Sequence, residues 1–334
     1  MGIKNLNRFF IDNCSEHAIH TQPLSFFKGK TIAIDASIYM YKYRVDNRLI
    51  ENMYLLISIL LKYEILPIFV FDGKPPPEKL ELIQHRNILK KEAKLKYNQY
   101  QTELESNKDT LLSKDKKMII EEMDKLKKQF IRINETDIIQ VKQLITASGI
   151  PFIDALGEAD QLCVSLVKTG KAWACLSDDM DMFVYGCDRV MRYISLMQHT
   201  VLLYDLNLIL TELNLSMKLF KEILVLSGTD YNTRDDTSLK ETINWLYKYN
   251  KKESFKDLPT NSVVTADTCM FYKWLTDNTR YIKDIQKLMT VYNIFELKNY
   301  PYLEQYNIIT FTKQLPDIEK LHELLKLHGF VYPS

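Results

Sequence analysis

The chain has 334 residues, with 44 Lys and Arg against 43 Asp and Glu and a formal net charge of +1. Its 46% hydrophobic and 26% charged content, with only 9 Gly and 10 Pro, excludes a low-complexity chain and suits one with a sizeable buried core. No apolar run approaches the roughly 20 residues of a bilayer-spanning helix. The 5 cysteines form no C-x-x-C pair and the 6 histidines are scattered singly, so zinc is disfavoured and free thiols are expected.

The start, Met1-Gly2-Ile3-Lys4-Asn5-Leu6, lacks the apolar core of a signal peptide and lacks Ser or Thr at position six. The expectation is an intracellular protein, nuclear or cytoplasmic and not secreted. Residues 31–35 and 68–72 are short runs of β-branched and aromatic residues that predict strands buried on both faces of a parallel sheet. The apolar stretch 52–62 between them predicts a helix. Gly73-Lys74-Pro75-Pro76-Pro77 ends the second strand sharply.

Residues 78–132 then change character, with no further Gly or Pro and an abundance of Lys, Glu, Gln and Leu. They predict two or more long polar helices, joined near 106–110, that project from the sheet. Alternation returns with a helix at 138–147, a turn and strand at 149–154, a helix at 158–169 and a strand at 171–176. Residues 190–193 and 200–204 predict a hairpin. Beyond Leu213 the chain reads as mostly helical, with polar joins around 232–237 and 251–264. With no internal repeat and no linker, one domain is expected: an N-terminal region 1–83, a helical insertion 84–133 and a region 134–334.

Both predicted strands end in aspartate, Asp35 and Asp72, and the third runs into Ser177-Asp178-Asp179-Met180-Asp181. In open α/β sheets ligands bind beyond the carboxyl ends of the strands, so these acids face one crevice. Glu158 and Asp160 open a helix, where carboxylates meet the positive end of its dipole. Asp230 follows the apolar helix 219–226. Taken singly, a helix cap or a turn former explains each acid about as well as a site does. Taken together they repel one another unless a cation sits among them. Oxygen donors without His or Cys suit Mg²⁺ or Mn²⁺. Lys79 and Arg86, seven residues apart, share one helical face, and Lys125, Lys127, Lys128 and Arg132 form a second basic patch at helical spacing. A net charge near zero thus conceals segregated charge.

Six words occur in a telling order: Met1-Gly2-Ile3-Lys4-Asn5-Leu6, Ala33-Ile34-Asp35-Ala36-Ser37, Val70-Phe71-Asp72-Gly73-Lys74-Pro75-Pro76, Gly149-Ile150-Pro151 with Glu158-Ala159-Asp160, Asp178-Asp179-Met180-Asp181, and Gly228-Thr229-Asp230-Tyr231. Over roughly the first 230 residues the chain resembles the flap endonucleases of eukaryotic and archaeal type, within the structure-specific 5′ nuclease family. The resemblance implies a PIN-like α/β core, a parallel sheet with helices on both faces, and a helical arch. It implies that Asp35, Asp72, Glu158, Asp160, Asp179, Asp181 and Asp230 bind two Mg²⁺ ions, with Mn²⁺ as a substitute. The family usually carries Glu at the position of Asp160, so that shorter side chain is expected to act through water.

By the same resemblance Lys79 and Arg86 reach the scissile phosphate, Tyr41 stacks on a base, and Gly2 lies near the active site. Lys125, Lys128 and Arg132 belong to the arch that admits a 5′ single strand. The implied substrate is branched or flapped DNA, cut to a 5′-phosphate and a 3′-hydroxyl by a monomer in replication, repair or recombination. Two rivals stay open: a 5′→3′ exonuclease or junction resolvase on the same core, and a nucleic-acid-binding module that has lost its chemistry. Two departures stand out. Residues 231–240 contain no glycine where the family has a potassium-binding hairpin, and the tail has no sliding-clamp box. The short tail and the richness in Asn, Lys, Tyr and Ile suit a compact viral member, active at a viral replication site.

Overall fold

The computed structural model describes residues 2–106, 113–232, 237–253 and 269–330. It opens with α1 (Leu6–Asn13) and β1 (Ile19–Pro23). β2 (Thr31–Asp35) runs directly into α2 (Ala36–Val45), because Asp35 Oδ1 accepts from the Ile38 amide and caps the helix. α3 (Leu49–Lys62) and β3 (Leu66–Phe71) follow, and the proline run leads into α4 (Leu80–Ser106) and α5 (Ser113–Phe130). α6 (Glu135–Ala147) starts three residues before the apolar pattern does, since Asn134 and Asp137 form a capping box. Next come β4 (Phe152–Asp154), α7 (Ala159–Lys168), β5 (Ala174–Leu176) and α8 (Asp181–Val184).

β6 (Arg189–Ser195) and β7 (Thr200–Asp205) make the expected hairpin. α9 (Leu206–Glu212), α10 (Met217–Leu226), α11 (Leu239–Glu253), α12 (Met270–Asn278), α13 (Ile285–Ile294) and α14 (Ile318–Leu327) complete the described chain. The sheet order is β1-β7-β6-β5-β2-β3-β4. β6, β5, β2, β3 and β4 are parallel; β7 alone is reversed, and the edge strand β1 pairs antiparallel with it. The expected parallel sheet is therefore a mixed one. β1 (Ile-His-Thr-Gln-Pro) escaped the search for apolar runs because an edge strand is half solvated and tolerates a terminal proline.

Helices cover both faces. α1, α7, α8 and α10–α13 pack on one, around Phe10, Leu162, Phe183, Phe220 and Phe271. α2, α3, α6 and α14 pack on the other, around Tyr39, Leu56, Phe69, Leu144 and Leu325. α4 and α5 pack chiefly on each other, with Tyr97 edge-on to Phe130, and among their described residues bury only Ala93 and Leu126. They form the projecting helical insertion read from the sequence. Its joint at 107–112 lies outside the described residues, as do 233–236 of the glycine-free segment and 331–334 of the tail. The cysteines are all free. No helix among the described residues is long and apolar enough to cross a membrane.

Candidate active site

The parallel strands deliver their carboxyl ends to one mouth. Asp35, last residue of β2, caps α2 and accepts from the Ser177 hydroxyl (3.2 Å) beyond β5. Asp72, one residue past β3, is exposed and accepts from the Ala159 amide (2.9 Å), which ties the β3 loop to the start of α7. Asp35 thus does the local capping work that a purely structural reading assigns it, Asp72 bonds an amide 87 residues away, and both still stand in the cluster. Glu158 is the N-cap residue of α7 yet makes no side-chain cap bond. Its carboxylate instead takes the Lys79 ammonium on Oε1 and the Tyr231 hydroxyl on Oε2. Asp179 Oδ1 accepts from the Asp181 amide (3.0 Å), and Asp230 accepts from Arg86 (2.7 Å).

The electrostatics show how closely these groups sit. Burial, then the Asp72 and Asp179 charges, push the Asp35 carboxyl up to about 8 against the opposing Ile38 and Ser177 bonds. Burial also raises Asp160, Asp179 and Asp181, with Asp35 adding to Asp160, Asp230 to Asp179, and Asp179 and Asp230 to Asp181. Lys79 is raised as well: burial alone would lower it, but Glu158, Asp160 and Asp230 overcome that. Asp181 Oδ1 is buried without a hydrogen-bond partner. An orphaned oxygen among mutually repelling carboxylates is the environment that a hard dication relieves. Among the described residues no three acids, histidines or cysteines already close into a cation cage. Glu158 and Asp230 already pair with Lys79, Tyr231 and Arg86, and the all-oxygen donor set fits divalent ions.

The other sequence candidates divide. Gly2 lies in the mouth with φ +77°, and a Cβ there would stand 2.6 Å from Asp181 Oδ1 and 2.7 Å from Asp179 Oδ1. Tyr41 is 39% exposed on α2, with the Lys90 ammonium 5.2 Å from its ring centre. Burial and then Asp72 raise the Tyr41 phenol, while Arg132 and Arg86 pull it down, so these charges surround the ring. Arg132 is brought to the foot of the arch. Lys125 and Lys128 are both exposed on α5, and Lys125 pairs with Glu122 on its own helix at 2.6 Å.

Sequence reasoning missed three residues. Lys90 lies four residues after Arg86, and continuing the count along that helical face would have found it. Tyr231 closes the word Gly228-Thr229-Asp230-Tyr231, but nothing in that word ties it to Glu158. Arg192, only 3% exposed, donates to the Asp178 carbonyl (2.8 Å) and to Asn7 Oδ1 (2.9 Å). It ties the loop carrying Asp179 and Asp181 to α1, a long-range contact that no local pattern reveals.

A mixed α/β sheet with an acidic mouth under a basic helical arch defines a PIN-like nuclease fold. The XPG N-terminal domain matches residues 1–93 and the XPG I-region matches residues 149–230. The chain belongs to the structure-specific 5′ nuclease family that these two regions mark. It is 29% identical over 250 residues to flap endonuclease 1 of Glycine max, which is 69% of this chain and 62% of that protein. It is also 29% identical over 319 residues to flap endonuclease 1 of Methanococcus aeolicus, 89% of this chain and 90% of the relative. The chain thus spans about three fifths of the plant relative and most of the archaeal one. Among solved structures, the catalytic core of Rad2 in complex with DNA substrate superposes with a TM-score of 0.65 at 24% identity, covering 98% and 95% of the two chains. Flap endonuclease-1 of Methanococcus jannaschii gives 0.59 at 22% identity over 94% and 91%. At such identities these likenesses establish the fold.

Proposed function

We propose that this chain is a metal-dependent structure-specific 5′ flap endonuclease that hydrolyses a DNA phosphodiester near a single-strand/duplex junction. The observation that carries the reading is the meeting of the arch with the acids: Lys79 and Arg86 stand among Glu158, Asp160 and Asp230. Seven carboxylates alone would repel a phosphate; two cations at their edge give the scissile phosphate a place to rest.

Asp35, Asp72, Glu158, Asp160, Asp179, Asp181 and Asp230 would hold two Mg²⁺ ions, with Mn²⁺ as a substitute. When bound, such ions supply a water of lowered pKa and offset charge on the attacking and leaving oxygens. The chain's own residues do the rest. Lys79 and Arg86 exchange their carboxylate partners for the phosphate and stabilise the charge that grows there. Tyr41 offers an exposed ring on which a base beside the cut can stack. Arg132 and Lys90 continue the positive surface toward the arch. No covalent nucleophile is required, and the buried thiols are held protonated: burial raises Cys163, Cys175 and Cys187.

The protein acts as a monomer on this reading. The test is the chemistry of the ends: a double-flap DNA cut in Mg²⁺ should leave a nick that DNA ligase seals, which requires a 5′-phosphate beside a 3′-hydroxyl. Removal of one nucleotide at a time would favour an exonuclease, paired cuts across a four-way junction a resolvase. Binding without any cut would identify a lapsed binding module.

A further inference from the structure

We propose that Tyr231 is a positioning residue that fixes the Glu158 carboxylate for metal binding, anchored in turn by hydroxyl and amide groups that reach the C-terminal segment. The inference rests on the nuclease reading of this site and adds a residue to it.

Glu158 needs outside help to be oriented. It sits at the N-cap of α7, but its side chain makes no cap bond, so the helix fixes its backbone and not its carboxylate. Two groups fix the carboxylate instead, one per oxygen: the Lys79 ammonium on Oε1 and the Tyr231 hydroxyl on Oε2. Lys79 is expected to leave for the phosphate when DNA arrives. Tyr231 carries no charge to spend and stays.

The tyrosine is itself held from behind. Its ring lies edge-on to Phe295, centroids 5.5 Å apart at 84°, and Phe295 packs in turn on Tyr185 at 4.8 Å. The Tyr185 hydroxyl accepts in turn from Gln161 Nε2 at 3.4 Å. Gln161 Oε1 accepts from Tyr302 at 2.7 Å, and a Cβ on Gly157, one residue before Glu158, would stand 2.4 Å from the same Tyr302 hydroxyl. The C-terminal segment thus braces the Glu158 loop twice, once through its backbone and once through the hydroxyl chain. A tyrosine kept only for packing would have its ring against Phe295 and its hydroxyl in water; this hydroxyl ends on a carboxylate of the site.

Partners that orient a metal-ligating carboxylate typically contribute 10- to 100-fold in metal affinity or activity. The test is Tyr231→Phe, which keeps the ring and removes one oxygen. Mn²⁺ binding is read by electron paramagnetic resonance without DNA, beside the melting temperature and the Mg²⁺ dependence of single-turnover flap cleavage. The proposal expects Mn²⁺ affinity to weaken about 10-fold and the half-saturating Mg²⁺ concentration to rise by a similar factor. Melting should be nearly unchanged, and Tyr302→Phe should give a smaller shift of the same sign. Wild-type Mn²⁺ affinity in Tyr231→Phe overturns the proposal, as does a loss of affinity matched by a collapse in melting temperature. If the wild type binds Mn²⁺ but cuts no DNA, the nuclease reading fails while the Mn²⁺ comparison still decides the role of Tyr231.

Discussion

Arg86 extends from the arch helix to place a guanidinium nitrogen 2.7 Å from an Asp230 carboxylate oxygen, across 144 residues of sequence. The bond joins the insertion to the last acid of the cluster and so sets the arch over the mouth. It also parks a cation where the scissile phosphate is proposed to lie. Replacing Arg86 by Ala should lower the single-turnover rate on a flap substrate by about 10²- to 10³-fold, the usual loss for one charge-stabilising donor. Flap affinity measured in Ca²⁺ should fall far less. Equal losses in rate and affinity would make Arg86 a binding residue only.

Gly2 offers a test on the opposite side of the mouth. Its φ of +77° disfavours any side chain, and a Cβ would stand 2.6 Å and 2.7 Å from the Asp181 and Asp179 oxygens. Gly2→Ala should therefore weaken Mn²⁺ binding and slow cleavage by at least about 10-fold, the scale seen when ligands are displaced. The melting temperature should move far less, because the added Cβ meets the Asp179 and Asp181 carboxylates and not the apolar core. Unchanged metal binding would mean that the N-terminal segment yields freely.

The arch makes a prediction in salt dependence. Each phosphate contact contributes a slope of about −0.7 in log affinity against log salt for a single strand. Removing Lys128 and Arg132 together should flatten the slope for a 5′-flapped DNA by one to two contacts' worth. Lys125→Ala should flatten it less, since a phosphate has first to displace Glu122, which pairs with Lys125 at 2.6 Å. Fluorescence anisotropy across a salt series in Ca²⁺ measures both.

Glu222 gives a pH prediction away from the site. It is 2% exposed on α10, and burial pushes its carboxyl up to about 7 from 4.5, although the Phe271 amide bonds to it. A raised carboxylate binds its proton more tightly in the folded state, so stability is greatest below about pH 4.5 and falls as pH rises toward 7. Glu222→Gln removes that loss. The two proteins should melt alike near pH 5, and the variant should be the more stable at pH 8 by on the order of 3 kcal/mol. Parallel melting curves across this range would place the proton elsewhere.

What could be read in the sequence follows from the range of the forces involved. β2 and β3 declared themselves because a strand buried on both faces must be apolar throughout, and their terminal aspartates marked the mouth. α4 and α5 were legible from their unbroken polarity. β1 was not, since an edge strand of Ile, His, Thr, Gln and Pro carries neither period nor apolarity. The acids could be gathered in advance because each sits at the end of a local element. Of their partners Lys79 and Arg86 could be named, but not Tyr231, which reaches Glu158 across 73 residues, nor the brace from Arg192 to Asn7 across 185. Such contacts are products of the assembled fold and leave no local spacing to find.

The most direct test of the account is cleavage of an end-labelled double-flap DNA in Mg²⁺ and in Ca²⁺, by the wild type and Asp181→Ala, with the 5′ end free or blocked. A metal-dependent flap endonuclease cuts at the junction in Mg²⁺ alone, with the cut abolished in the variant and suppressed by the block, and DNA binding in Ca²⁺ preserved throughout. Binding with no cut by the wild type in Mg²⁺ would contradict this reading, and so would full activity in Asp181→Ala.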